Sequence, residues 1–504
     1  MAYAAVWLAV PLAFLATGPL VFDFPITAYV PGFDNDEIHY WHQILTFAQE
    51  GFRGGYYSVD ELPAVARFTP FGTEGPVFTV FYGALARLFG WATWSPILYN
   101  CALLFLAMGC VLGGARPGLK TWALLALLLV TYWPLALMMP TIMQEPLHHV
   151  LALVLAALFY RLLTAEKPSV ALGVAGMSWI GVMSLLRYTW SGMAAPYLLL
   201  ANFGQRIWLV VFGSAMLAAA SIAVGLWWSS PYPLYSLWGD ISDPSVWFAK
   251  WALPNAVAFL QTNADPSMVV RLTPLGLVLR GQIAFLLLFA AGSLLYYRKR
   301  PDPGRRNLML LIIFTLAHIT AAQVLFYVIE SYRDYRILGP YLLFCAVLLI
   351  LFRFRWIPLL LIASNLLFLQ QFLNHYDSRV IGGVSYVRPE GDLGKNDRRV
   401  LDAFTRSIEG KMVFQSGDGR WCNTLLVPFN SYRSTLVAVP AGIGLSAFLS
   451  PETTEYPLKS KYVIATNPAF MSKNGPVNLQ PLAETSLGTL YFNQDSHCSP
   501  PPHG

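Results

Sequence analysis

The run Ala4-Ala-Val-Trp-Leu-Ala-Val-Pro-Leu-Ala-Phe-Leu-Ala-Thr-Gly-Pro-Leu-Val-Phe22 decides the fold class of this chain. It carries no charged side chain, and a helix needs roughly 20 apolar residues to cross a bilayer. No lysine or arginine precedes the run, and no small-residue cleavage site follows it. We therefore predict an uncleaved first transmembrane helix and not a signal peptide.

The composition predicts that this helix is one of many. Of the 504 residues, 56% are hydrophobic and only 12% are charged, whereas soluble proteins carry about 25% charged residues. The formal net charge of +6 comes with basic residues in short loops between apolar runs, where they set membrane orientation. The lipid bilayer is therefore a predicted partner, and nucleic acid is not.

Further apolar runs predict an α-helical polytopic membrane protein with about eleven transmembrane helices. Residues 76–90 contain Arg87 and predict a half-inserted helix. Pro134 and Pro196 are expected inside spans, where membrane helices tolerate proline. The predicted spans after the first are 92–114, 121–139, 146–163, 169–186, 190–203, 207–228, 276–297, 307–329, 338–352 and 356–373.

Lysine and arginine orient these spans. An inside N-terminus gives every predicted cytoplasmic loop at least one basic residue, as the positive-inside rule requires. These residues are Arg116, Lys120, Arg161, Lys167, Arg206, Arg298, Lys299, Arg300, Arg305, Arg306, Arg353 and Arg355. The C-terminus is then outside, and the polar loops that carry acids and arginines share the outer face.

Residues 375–504 predict a small extracytoplasmic soluble α/β domain after a membrane module at 1–374. Its expected strands lie at 412–414, 425–427, 462–465 and 490–492, and its expected helix at 397–408. Cys422 and Cys498 could pair if this tail is exported, but their positions in the sequence leave the pairing open.

An acidic cluster, Asp34-Asn-Asp-Glu-Ile-His-Tyr40, follows the first span in the external loop 23–91. Carboxylates at a membrane edge are unfavourable unless they are solvated or used. They could stabilise a helix N-terminus, or serve as a general base or metal ligands. Ile38, Trp41, Leu45 and Ala48 predict an amphipathic helix at the interface.

The residues Asp36-Glu37 with Tyr40, and then Thr73-Glu74-Gly75-Pro76 before an apolar run, resemble polyprenyl-phosphate-sugar glycosyltransferases of the GT-C class. The similar proteins are bacterial aminoarabinose transferases and protein O-mannosyltransferases, and the resemblance covers about the first 165 residues. It implies that Asp36 is the catalytic base, with Glu37 beside it and Asp34, Tyr40 and Glu74 in support. Many members have Glu-Lys-Pro where this chain has Gly75, so another cation must contact the donor phosphate.

The same resemblance implies a second acidic residue in the next external loop, which would be Glu145. Glu145 and His148 are three residues apart and could share a helix face; they could also simply lie at the headgroup level. A divalent cation held by Asp36, Glu145 and His148 is a further alternative, although no cofactor is required.

Arginines on the predicted outer face complete the candidate site. Arg187, Arg333 and Arg336 are candidates to bind the donor phosphate, because arginine near membrane depth typically marks an anion or a charged partner. Arg333 and Arg336 are three apart and could hold one phosphate jointly. The alternative is an ion pair with Glu330 or Asp334.

These features predict an inverting glycosyltransferase of the bacterial inner membrane, which moves a sugar from a polyprenyl-phosphate donor to an extracytoplasmic lipid, glycan or protein acceptor. A ligase or polymerase of lipid-linked glycans is the alternative enzyme, although such proteins lack an acidic motif after the first span. A transporter or flippase would show related halves and charges at mid-membrane, and the sequence contains neither.

Overall fold

The computed structural model describes residues 2–29, 75–92, 94–201, 207–228, 274–299, 302–326, 334–381, 478–485 and 488–494, and short pieces within 37–71, 245–257 and 425–465. Two compact units make up the chain. The first unit comprises residues 1–28, 94–223 and 236–378. The second unit comprises residues 29–93, 224–235 and 379–504.

Helices dominate the described residues. In chain order, α1 to α14 are Ala2–Val21, Pro76–Phe89, Ser95–Ala115, Leu119–Thr131, Trp133–Met138, Glu145–Thr164, Val170–Leu186, Ala194–Leu200, Ile207–Trp228, Pro274–Lys299, Pro303–Phe326, Asp334–Leu351, Trp356–Leu367 and Leu369–Tyr376. Strands β1 to β6 are Tyr56–Ser58, Arg67–Thr69, Leu425–Leu426, Tyr462–Ala465, Leu479–Thr485 and Gly488–Asn493.

Several of these helices confirm a multi-pass membrane protein. Among the described residues, α1, α3, α6, α10 and α11 are long and apolar enough to cross a bilayer. The pair α13 and α14 passes the same test together, with a bend of 58° between the two helices. Over the residues that the structure describes with their side chains, the other apolar helices have only 10–17 residues, so the structure does not confirm the predicted count of eleven spans.

Three predicted spans differ from the structure, and one of them, 356–373, is the bent pair α13 and α14. The span 121–139 is broken at Tyr132 into α4 and α5, because Pro134 lies in the first turn of α5 and has no N–H to continue the preceding helix. The span 190–203 contains part of the 3-10 turn Tyr188–Met193 and then α8, which is only seven residues long. At 1.5 Å per residue, α8 rises about 10 Å, well short of a bilayer.

Proline also marks where other helices begin. Pro76, Pro96 and Pro146 occupy the first two positions of α2, α3 and α6, where the missing N–H would have had no helical partner. Helix α7 begins differently, because the Ser169 hydroxyl accepts a hydrogen bond from the Leu172 backbone N–H at 3.2 Å.

The core of the first unit is formed by α6 and α12, which pack against each other. Every residue from Ile337 to Leu351 is buried, as expected for a helix that is apolar on all sides. The Tyr132 hydroxyl donates a 2.7 Å hydrogen bond to the Gly339 carbonyl and ties the break between α4 and α5 to α12.

The close approach of α7 and α8 depends on Gly176. A Cβ atom on Gly176 would collide with the ring and hydroxyl of Tyr197. Tyr197 cannot easily move, because it is buried, its hydroxyl donates to the Leu172 carbonyl at 2.7 Å, and its ring packs edge-on against Phe159. We expect Gly176→Ala to lower the free energy of unfolding by about 1–3 kcal/mol through overpacking, measured by thermal unfolding in detergent.

Gly181→Ala is the matched control for that prediction, since Gly181 lies in the same helix. Its added methyl group would meet only Leu217 Cδ1 at 3.7 Å, an ordinary contact. This variant should be as stable as the parent or slightly more stable, because alanine favours helix over glycine. Equal midpoints for the two variants would contradict the close-contact explanation.

In the second unit, the described residues between 37 and 48 of the first loop are helical and pack on α2. The Tyr40 ring lies edge-on to the Phe78 ring, with ring centroids 5.1 Å apart. The Thr79 hydroxyl donates a hydrogen bond to Gln43 Oε1 at 3.1 Å. Glu37, Tyr40, Gln43 and Ile44 are all buried, so the buried face includes polar residues that apolar periodicity does not select. Ile38, Trp41 and Leu45, predicted for that face, lie outside the described residues.

The C-terminal strands form a four-stranded sheet in the order β3-β4-β6-β5. Strand β4 is parallel to β3 and antiparallel to β6, with Ile464 opposite Leu490, and β5 is antiparallel to β6. Three of the strands predicted in this region are present. The strand at 412–414, the helix at 397–408, Cys422 and Cys498 lie outside the described residues, so the α/β domain and its disulfide stay predictions.

Candidate functional site

The candidate site is built around Glu145, the first residue of α6. The preceding segment is fixed by Asn100 of α3, whose side-chain amide donates to the carbonyls of Met139 and Thr141, both at 2.9 Å. Pro146 then starts the helix. As a result, the Glu145 carboxyl is completely buried at the N-terminal end of α6, where the helix dipole favours a negative charge.

Two arginines reach this carboxyl from different helices. Glu145 Oε1 accepts a hydrogen bond from Arg187 Nη2 at 3.0 Å and another from Arg336 Nε at 3.1 Å. Arg187 follows the last residue of α7, and Arg336 lies in the first turn of α12. Arg187 Nη1 also donates to the Arg336 carbonyl at 2.9 Å, which links the two helix ends directly.

Two guanidinium groups meet one carboxylate in this ionic cluster. The side chains of Arg187 and Arg336 are only 12% and 15% exposed. The second carboxyl oxygen, Glu145 Oε2, has no hydrogen-bond partner among the described residues. That oxygen accepts hydrogen bonds and suits a ligand hydroxyl, whereas the two guanidinium groups suit an anionic oxygen.

His148 lies one turn further along α6 and is held by Trp190. The Trp190 indole N–H donates to His148 Nδ1 at 3.1 Å, and the indole stacks on Tyr341 with ring centroids 3.8 Å apart. The Tyr341 hydroxyl donates to Thr189 Oγ1 at 2.8 Å. The stacked Trp190 thus fixes the orientation of the His148 ring, which lies on the same helix as Glu145.

The neighbouring His149 uses its Nδ1 as a hydrogen-bond donor, whereas His148 uses its Nδ1 as an acceptor. Its Nδ1 lies 2.7 Å from the Glu145 carbonyl oxygen, which can only accept, so Nδ1 carries a proton. The His149 ring lies edge-on to the Tyr132 ring, with ring centroids 5.9 Å apart. His149 therefore helps to hold the first turn of α6.

His148 does not suit the metal site of Asp36, Glu145 and His148 that the sequence left open. Its Nδ1 uses its lone pair to accept from Trp190, so a neutral ring carries its proton on Nε2 and has no lone pair for a metal. Within the described part of the chain, no group of three or more His, Cys, Asp or Glu side chains is arranged to hold a metal ion. Asp36 lies outside that part.

Only part of the predicted site lies in the described residues. Glu145, His148, Arg187 and Arg336 belong to the first unit, and the structure brings the carboxyl and both arginines together. Glu37 and Tyr40 are buried residues of the second unit. Asp34, Asp36, Glu74 and Arg333 lie outside the described residues, so their roles stay predictions.

The sequence also contained signals for other residues of this site. Asn100, Trp190 and Tyr341 each make a buried or part-buried hydrogen bond that shapes it. Asn100 is an asparagine inside an apolar span, Trp190 comes three residues after Arg187, and Tyr341 comes five residues after Arg336. His149, next to His148, was visible but was not singled out.

No known protein family and no curated protein matches the chain. Solved structures that match include ArnT from Cupriavidus metallidurans in the apo state, at 12% identity over 99% of both chains with a TM-score of 0.44. The same protein bound to undecaprenyl phosphate gives 12% identity, 99% of both chains and 0.48.

An Archaeoglobus fulgidus oligosaccharyltransferase tethered with an acceptor peptide also matches, at 13% identity over 98% of this chain and 74% of that chain, with a TM-score of 0.46. Both proteins are GT-C glycosyltransferases. That is the class which the first external loop resembles. At these identities, and with TM-scores below 0.5, the matches assign no residue, ligand or reaction to this chain.

Proposed function

We propose that this chain is an integral-membrane glycosyltransferase that moves a sugar from a polyprenyl-phosphate donor to an extracytoplasmic acceptor, with inversion at the sugar carbon. The observation that carries the proposal is the buried cluster of one carboxylate and two arginines. The two guanidinium groups would bind the phosphate of the donor. The motif Asp36-Glu37 in the first loop supplies the complementary acidic group.

The chemistry assigns different roles to these residues. The acceptor hydroxyl oxygen attacks the anomeric carbon, its proton passes to the Asp36 carboxylate, and the bond from that carbon to the phosphate oxygen breaks. Negative charge grows on the leaving phosphate, and preorganised cations stabilise it. Arg187 and Arg336 are the proposed cations, with Arg333 as a third, and they replace the lysine that Gly75 does not provide.

Glu145 acts on the arginines in this proposal. Its Oε1 accepts from both guanidinium groups, so its carboxylate is engaged and orients them for the ligand. A residue held in this way is a positioning residue, while Asp36, Glu37 beside it and the supporting Asp34, Tyr40 and Glu74 would lie on the acceptor side.

The setting of the enzyme belongs to the same proposal. The positive-inside pattern favours eleven spans, an extracytoplasmic active site and an exported C-terminal domain in a bacterial inner membrane. A lipid-phosphate donor suits that location, because its tail stays in the bilayer while its head group reaches the outer surface.

Asp36→Asn tests the proposed base. We expect loss of transfer by roughly 10²-fold or more, because general-base catalysis typically contributes 10²–10⁴-fold. The variant and the parent would be expressed in a deletion strain, and surface glycans and lipid-linked sugars analysed by mass spectrometry. The deletion strain and the Asp36→Asn strain should both lack one sugar residue and accumulate its lipid-linked form.

Asp302→Asn is the matched control, since it is the same chemical change at an exposed position on the predicted cytoplasmic side. Asp302 accepts from the Arg305 N–H at 3.0 Å before α11, and asparagine caps a helix as well as aspartate does. This variant should restore the glycan fully. Full restoration by Asp36→Asn as well would refute the proposed base.

A further inference from the structure

We infer that His148 is a neutral hydrogen-bond donor, fixed in its Nε2–H tautomer by Trp190, and that it donates this proton to an oxygen of the phosphate that Arg187 and Arg336 bind. This inference rests on the proposed function and deepens it, because it adds a recognition residue and a positioning residue to the same site.

The tautomer follows from hydrogen-bond donors and acceptors. The Trp190 indole nitrogen can only donate, so His148 Nδ1, at 3.1 Å from it, must accept with its lone pair. A ring with an unprotonated Nδ1 is neutral only if its proton is on Nε2, and it cannot be the doubly protonated cation. His148 Nε2 is therefore an N–H donor.

That donor is unused in the part of the chain that the structure describes. His148 is completely buried, and its Nε2 has no hydrogen-bond partner among the described residues. A buried N–H without a partner is unfavourable by about 1–3 kcal/mol. Gln144 Nε2, on the residue just before α6, is a second buried donor without a hydrogen-bond partner among the described residues. A ligand with acceptor oxygens would satisfy both donors.

The ligand favoured by this arrangement is an oxyanion. His148 Nε2–H and the Gln144 side-chain amide add neutral donors to the two guanidinium groups of Arg187 and Arg336. A phosphate group offers several strong acceptor oxygens and negative charge. An acceptor-poor ligand would leave these donors unsatisfied.

Trp190 is the positioning residue. It contacts His148 through its N–H and is itself fully buried and stacked on Tyr341. A Trp190→Phe variant keeps an aromatic ring for this stack but removes the N–H. Without that donor, His148 can adopt either tautomer, and part of the population presents a lone pair in place of an N–H to the phosphate.

Nitrogen-15 NMR of the full chain in lipid nanodiscs reads the tautomer directly. The protein would be labelled with ¹⁵N-histidine and ¹³C-carbonyl leucine. Of the eight histidines, only His148 follows a leucine, so its backbone signal is identified without a substitution. We expect a protonated Nε2 and an unprotonated Nδ1 for His148. A protonated Nδ1 or a doubly protonated ring would overturn the inference.

Ligand contact is tested by adding undecaprenyl phosphate or inorganic phosphate to the same sample. A shift of the His148 Nε2 signal with either probe supports the phosphate contact, and absence of a shift with both overturns it. In Trp190→Phe, we expect mixed tautomers and about tenfold weaker binding of undecaprenyl phosphate, since one charge-assisted hydrogen bond is compromised. Unchanged tautomer and affinity in this variant would overturn the role of Trp190.

These results are separable from the proposed reaction. The tautomer and the phosphate contact are read without any turnover. If both are found but the deletion strain keeps an unchanged glycan, the binding site stands and the glycosyltransferase proposal fails. If the glycan is lost but His148 carries its proton on Nδ1, the reverse holds.

Discussion

Glu145→Gln is expected to lower the free energy of unfolding by about 3–5 kcal/mol, the range found when one partner is removed from a buried ion pair. Glu145 Oε1 is the acceptor for Arg187 and Arg336. The amide keeps the shape of the side chain but carries no charge, so both buried guanidinium groups would lose the carboxylate that they share. Thermal or denaturant unfolding of the purified protein in detergent measures the loss.

Two variants control for that result. Glu166→Gln makes the same change at an exposed position after α6 and should leave stability within about 0.5 kcal/mol of the parent. Arg187→Gln removes one of the two positive charges and leaves a balanced pair of Glu145 with Arg336, so it should be less destabilising than Glu145→Gln. If Glu145→Gln unfolds at the same midpoint as the parent, the carboxylate does not hold the cluster together.

The membrane helices were predictable because long apolar runs have few alternatives in a bilayer. The runs at 4–22, 92–114 and 276–297 became α1, α3 and α10 with ends close to those expected. The break at Tyr132 was less predictable. Proline inside an apolar run is compatible with one kinked helix or with two helices, and only packing decides; here the Tyr132 hydroxyl binds the Gly339 carbonyl across the break.

The residues of the ionic cluster were also predictable, but their pairing was not. Glu145, Arg187 and Arg336 are rare charged residues at the ends of apolar runs, which is a strong signal in a membrane protein. Arg336 has two acids nearby in the chain, Glu330 and Asp334, which the sequence offered as alternative partners and whose side chains lie outside the described residues. The structure pairs Arg336 with Glu145, almost two hundred residues away. A contact between residues so far apart cannot be predicted from the spacing of neighbouring residues in the sequence.

The state of His148 required atomic contacts. A histidine three residues after an acid suggests a metal ligand as readily as a hydrogen-bond donor. The deciding fact is which ring nitrogen faces the indole N–H of Trp190. Aromatic residues are frequent throughout this chain, at 14% of all residues, so Trp190 did not stand out before its contact with His148 was known.

Arg336→Gln and Arg187→Gln are each expected to reduce transfer roughly 10²–10³-fold, because removing one preorganised donor to a developing oxyanion has effects of that size. The loss should greatly exceed what reduced stability explains, since either variant leaves Glu145 with one arginine and a balanced charge. Transfer would be measured in membranes, as lipid-linked sugar consumed and glycan formed, at equal amounts of folded protein.

Arg305→Gln provides the control for this prediction. Arg305 forms an exposed ion pair with Asp302 at 3.5 Å, and such pairs contribute only about 0–1 kcal/mol to stability. This variant should transfer at the parental rate. A different pattern, in which Arg187→Gln and Arg336→Gln are active in proportion to their folded fraction, would mean that the second arginine serves packing and that the phosphate is bound elsewhere. The two arginines beside Glu145 bind the phosphate only if removing either of them reduces transfer more than folding.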